Sequence, residues 1–305
     1  MRGLFINKES EIRSGFKIIL FFFFYFIITL ISFPMLLTFV ALIMTKGNFN
    51  TFGEYYTKAQ NYLISSQIDI VWMIISKTFD LATILVIIFI FLKLSNKKFK
   101  EIGLVSIKGK SREFFWGSAI GAVSMTAIFF CLLISNNATL KNSLFQPNFT
   151  TNLFWGVILY IIVSLSEEIM CRGYIQTTLY QIRMPYLAAA ISSAIFAFLH
   201  LGNPNVKILG IVNIFLVGLL LSYMYIRTKN LWMAIGYHIT WNYFQGNIFG
   251  FPVSGTTQSL GIYNIDTIKE NIITGGSFGP EAGILATIVI ITSFVVIREV
   301  TKEIK

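Results

Sequence analysis

Long apolar runs separated by short polar stretches set the pattern of this chain from end to end. About 20 apolar residues suffice to cross ~30 Å of hydrocarbon as a helix. Eight such candidates stand at approximately 17–44, 70–92, 114–135, 152–180, 185–202, 208–226, 231–251 and 282–298. The expected fold is therefore all-α, a polytopic membrane helical bundle of about eight transmembrane helices. The first run is too long for the apolar part of a secretory signal and no small-residue cleavage site follows it, so it is expected to stay as a helix, with Pro34 as the place for a kink.

Composition supports a membrane setting. Of the 305 residues, 55% are hydrophobic and 12% charged, whereas a soluble domain carries roughly 25% charged residues. The net charge of +10 does not point to nucleic acid, because the basic residues gather in short loops beside apolar runs rather than along one face. An inside N-terminus puts Arg2, Lys8, Arg13, Lys17, Lys93, Lys97, Lys98, Lys100, Lys108, Lys110, Arg112, Arg183, Arg227, Lys229, Arg298, Lys302 and Lys305 on the cytoplasmic side, 17 of the 24 Lys and Arg. Lys46, Lys58, Lys141, Lys207 and Lys269 fall outside, and Lys77 and Arg172 lie within spans. The positive-inside rule thus predicts cytoplasmic N- and C-termini. Cys131 and Cys171 form no CxxC pair and read as core packing.

Three segments follow from this layout: 1–150 with three leading transmembrane helices and a basic inner loop at 93–113, 151–251 with the polar residues of interest, and 252–305 with a Gly/Ser/Asn-rich outer loop and the last helix. Ionisable groups inside a bilayer are expensive, so a helix that carries them gains a function or a partner. Three neighbouring runs carry such groups. In SLSEEIMCRGYIQ, Glu168 and Arg172 stand four apart and can pair, while Glu167 points about 100° away and has no partner on its own helix. In AIFAFLHLGN, His200 follows Phe196 by one turn, and Phe196 reads as packing. In NLWMAIGYHITWNYFQGN, His238 and Asn242 share a face and can both donate to one oxygen, which suits an oxyanion. Each motif alone is also compatible with polar contacts that lock helices together.

Taken jointly, EExxxR, FxxxH and HxxxN on three successive helices resemble the CPBP family of intramembrane proteases, also called the Abi or CAAX prenyl protease 2-like family, over about residues 150–250. The resemblance implies a glutamate-activated water attacking a peptide bond, with Glu167 as general base, His200 as its partner, His238 and Asn242 as oxyanion donors, and Arg172 orienting Glu167 and Glu168. It leaves a metal open, since Glu167, His200 and His238 could ligate zinc with a fourth position for water. It also implies the lipid bilayer and a peptide or membrane-protein substrate as partners. The Lys, Asn, Ile and Phe richness suggests a low-GC bacterium and its plasma membrane, with roles such as peptide or bacteriocin maturation, self-immunity or regulated proteolysis.

Two other readings use the same residues: a proton-coupled transporter, in which the glutamates and histidines relay protons, and an inactive scaffold of the protease fold that binds a membrane partner. No symmetry between the chain halves supports the transporter. One feature resists convergence on a single site. By residue count His200 lies near the outer end of its run and His238 nearer the inner half of its own, a mismatch of roughly 10 Å.

Overall fold

Each of the eight apolar runs forms a helix, the conformation that satisfies its own backbone N–H and C=O groups in lipid. The computed structural model describes residues 5–7, 11–46, 51–64, 70–256 and 261–302; Arg2, Lys8 and Lys305, counted above for orientation, lie outside them. Its helices are α1 (Ser14–Thr45), α2 (Phe52–Ile64), α3 (Ile70–Leu94), α4 (Ser111–Ile134), α5 (Asn152–Glu168), α6 (Pro185–Leu199), α7 (Ile208–Thr228), α8 (Trp232–Tyr243) and α9 (Ile284–Val300). Helix α1 runs through Pro34 without a break. The short helix α2 falls in a connection the sequence reading left without structure.

Among the described residues, five helices are long and apolar enough to cross a membrane: Ser14–Ile43, Ile70–Leu94, Ser111–Ile134, Asn152–Ile182 and Ile208–Thr228. The fourth is continuous because α5 passes into a π-helical stretch, Ile169–Gln176. The remaining three predicted spans form shorter helices, α6 with 15 residues, α8 with 12 and α9 with 17. Helix α8 is extended by a π-helical turn, Phe244–Ile248.

Two apolar cores hold the bundle. One joins Phe21 of α1, Ile88 of α3, Ile175 beyond α5, Ala188 of α6 and Ile235 of α8. The other joins Ile128 of α4, Leu220 of α7, Met233 of α8 and Ile290 of α9. In lipid, helices associate through close packing rather than through exclusion of water, so small residues mark their contacts. Helix α8 lies directly against α4 for this reason: a Cβ at Gly117 or Gly121 would overlap the Met233 or Tyr237 carbonyl, and one at Gly236 would overlap that of Phe114. This seam fixes the height and rotation of α8, and with them His238 and Asn242.

The described residues between α8 and α9, where the sequence predicts an outer loop, are folded onto the bundle. Phe249, Phe251 and Phe278 are buried, with the Phe249 ring stacked on Phe129 at 4.0 Å. Strand β2 (Ile265–Ile268) pairs antiparallel with β1 (Ala138–Leu140). Asn213 of α7 ties the segment down by donating to the Glu281 and Gly283 carbonyls at 2.8 and 2.9 Å. The cysteines also part company. Cys171 is buried as expected, whereas Cys131 is exposed on α4, so its side chain is not core packing.

Candidate functional site

Glu167 and Glu168 end α5, and Arg172 sits in the π-helical stretch that continues it. Such stretches often mark functional positions, because they re-aim side chains within a helix. Arg172 Nη1 donates to Glu168 Oε1 at 2.9 Å, with both side chains fully buried. Its Nη2 reaches the Gly218 carbonyl at 3.2 Å, and the guanidinium lies 4.3 Å from the centre of the Phe196 ring. Phe196 is therefore more than the packing residue expected of it. Its ring also meets His200 and His238 edge-on, at 4.6 and 6.3 Å between centroids. Arg172 engages Glu168 alone, so its expected action on both carboxylates is seen on one.

His238 stands between the two glutamates. Its Nδ1 is 2.8 Å from Glu168 Oε1 and its Nε2 is 3.7 Å from Glu167 Oε2. His200 follows the last residue of α6, and its Nδ1 bonds the Phe196 carbonyl at 2.8 Å. A carbonyl can only accept, so this bond places the proton on Nδ1 and leaves Nε2 as an acceptor. Asn242, one turn after His238, is largely buried, and its side chain has no hydrogen bond to the described residues.

Glu167, His200, His238 and Asn242 line one cavity of about 420 Å³. The expected mismatch in depth does not separate the two histidines, since both meet the Phe196 ring and line the same cavity. The segment after α8 covers the cavity with Val253, Ser254, Thr256 and Glu281. Glu281, just outside the spans, is buried and accepts a bond from the Ser254 N–H; burial pushes its carboxyl up to about 7.

Among the cavity residues that sequence reasoning did not assign to the site are Tyr25, Lys77, Asp80 and Glu281. Lys77 and Asp80 carried a usable signal, being charges inside an apolar run. Glu281 carried none, since its burial depends on how a loop folds back.

For zinc, the donor types are suitable and each imidazole has its other nitrogen held by an oxygen, as metal-bound histidines do. Among the described residues, however, no group of three His, Cys, Asp or Glu side chains comes together as a metal-holding cluster. The residues as placed do not fit the ion, and no step below passes through it.

Residues 148–244 match the family described as type II CAAX prenyl endopeptidase, Rce1-like. The matched stretch contains all seven motif residues, Glu167, Glu168, Arg172, Phe196, His200, His238 and Asn242, so this part of the chain is similar to that family. Comparison with curated proteins and with solved structures finds no match.

Proposed function

From the match over residues 148–244, we propose that this chain is an intramembrane endopeptidase that hydrolyses a peptide bond of a membrane-associated peptide or protein. The observation that carries the proposal is the convergence of Glu167, His200, His238 and Asn242 on one cavity from three separate helices. Glu167 is partly open to the cavity, with 22% of its side chain exposed, while Glu168 is sealed at 0%. That contrast separates a carboxylate that can meet water from one that holds its neighbours in place.

In the mechanism, Glu167 takes a proton from a water held between it and the His200 Nε2 lone pair. The resulting hydroxide attacks the scissile carbonyl. Asn242 donates to the oxygen as it becomes negative, and His238 does so through Nε2 when both of its nitrogens carry protons. Glu168 accepts from His238 Nδ1 and, with Arg172, fixes the ring. Glu167 then passes its proton to the departing amine, so the same carboxyl acts first as base and then as acid.

The natural substrate is proposed to be a peptide or membrane-protein segment handled at the plasma membrane of a bacterium, in peptide or bacteriocin maturation, self-immunity or regulated proteolysis. The decisive experiment reconstitutes the purified protein in liposomes with a mixed peptide set and follows cleavage by mass spectrometry. New termini that vanish with Glu167→Gln are expected. Absence of any cleavage across the set, with the protein folded, rejects the reading.

A further inference from the structure

Helix α3 is mainly apolar and carries three charged residues, Lys77, Asp80 and, at its end, Lys93. Asp80 is engaged, since Oδ1 accepts the Tyr25 hydroxyl at 2.5 Å. Lys77 is not. Among the described residues its ammonium has no hydrogen bond and no ion pair. It lines the same cavity as Glu167 and His200, inside a helix long enough to cross the membrane. An ammonium at that depth is costly to keep charged without a partner. Glu168 is held by Arg172 and His238, and Asp80 by Tyr25. Among the described residues that line the cavity, Lys77 is the one Lys or Arg, so it is where an anionic group of a substrate would be attracted.

We propose that Lys77 is a specificity-determining residue that receives a carboxylate of the substrate and so sets the direction in which a peptide crosses Glu167. The inference rests on the hydrolase reading, and it deepens that reading by naming a substrate class, peptides with an anionic group a short distance from the cleaved bond. A compact ammonium on a flexible stem suits a carboxylate as a point charge. A cavity of about 420 Å³ lies at the small end of the ~300–1,000 Å³ typical of ligand sites, so it takes a short segment. The carboxylate is the peptide's own C-terminus or an Asp or Glu side chain. Lys77 lies outside the matched residues 148–244, so this preference belongs to the leading helices of this chain.

The test uses the full-length protein in liposomes and N-acylated decapeptides in four forms: free acid or C-terminal amide, each with Glu or Gln near the end. Both kcat/KM and equilibrium binding by fluorescence are read for the original protein, Lys77→Arg and Lys77→Met. A preference of tenfold or more for the anionic forms is expected, kept by Lys77→Arg and lost in Lys77→Met through KM and Kd. The free-acid arm against the Glu arm tells which carboxylate is bound. Two results overturn the proposal: equal binding of charged and uncharged peptides by the original protein, or a Lys77→Met defect confined to kcat and its pH profile and equal for all four peptides. Charge-selective binding without cleavage would sink the hydrolase reading while leaving the role of Lys77 standing.

Discussion

Glu168 Oε1 lies 2.8 Å from His238 Nδ1, and the same oxygen takes the Arg172 guanidinium at 2.9 Å. A single buried carboxylate oxygen thus joins the helix that carries the proposed base to the helix that carries the proposed oxyanion donors. Sharing one oxygen between two cationic or proton-donating groups fixes the His238 ring in plane and rotation, and directs its Nε2 toward Glu167 and the cavity.

Removing that carboxylate strands a buried guanidinium and frees the imidazole. Glu168→Ala is therefore expected to cost about 3–5 kcal/mol of stability, while Glu167→Ala, beside open space, costs less. Thermal unfolding in detergent checks the order; equal Tm values for the two variants would count against Glu168 as the structural member of the pair.

Replacing the proposed chemical groups should separate activity from folding. Glu167→Gln and His200→Ala are expected to lower kcat by about 10²–10⁴-fold as losses of acid–base catalysis, and Asn242→Ala by about 10²–10³-fold as loss of an oxyanion donor. Tm should stay close to that of the original protein. Full peptide cleavage by any of the three, measured by mass spectrometry, removes that residue from its assigned role.

Glu281 makes stability depend on pH. Its carboxyl is raised from an ordinary 4.5 to about 7 in the fold. Below about pH 4.5 both folded and unfolded chains hold the proton, and the residue costs nothing. Between there and pH 7 the unfolded chain releases it first, so stability falls as pH rises and levels off above pH 7, by a total on the order of 3 kcal/mol. Glu281→Gln should unfold at higher temperature than the original protein at pH 8 and at the same temperature at pH 4. A gain of equal size at both pH values would contradict the shift.

The glycine seam between α4 and α8 should matter more to activity than its distance from the cavity suggests. Gly121→Leu forces a side chain against the Tyr237 carbonyl, moving α8 outward and His238 away from Glu168. Overpacking of this kind typically costs about 1–3 kcal/mol. Cleavage is expected to fall with Tm, whereas Gly15→Ala, where a Cβ meets open space, should leave both unchanged.

Dialysis against a zinc chelator should leave the cleavage rate unaltered, as a glutamate, two histidines and an amide can carry the reaction. Loss of activity on chelation, followed by its return with added zinc, would assign the ion a place that the side-chain arrangement lacks.

Much of the architecture was legible because the bilayer sets a length and a composition that a run of residues either meets or fails. The eight apolar runs all became helices, and the spacing of Glu168 and Arg172 announced their pair. The order of EExxxR, FxxxH and HxxxN pointed to the family that residues 148–244 match. What periodicity could not reveal was depth. Residue counting set His200 and His238 at different heights, whereas packing brings both to the Phe196 ring and to one cavity. Nor could it foresee that Phe196 would serve as a face for Arg172, since an aromatic in a Phe-rich chain looks like filler until its neighbours are known.

The linear order of residues thus determined which helices form and which of them carry ionisable groups, because both follow from local composition and the price of charge in hydrocarbon. Tertiary packing alone decided that Glu168 is shared by Arg172 and His238, that Lys77 on a distant helix looks into the same hollow, and that a loop folds back to bury Glu281. Those relations depend on the height, rotation and approach of whole helices, set by contacts such as Gly121 against Tyr237 that no single segment encodes.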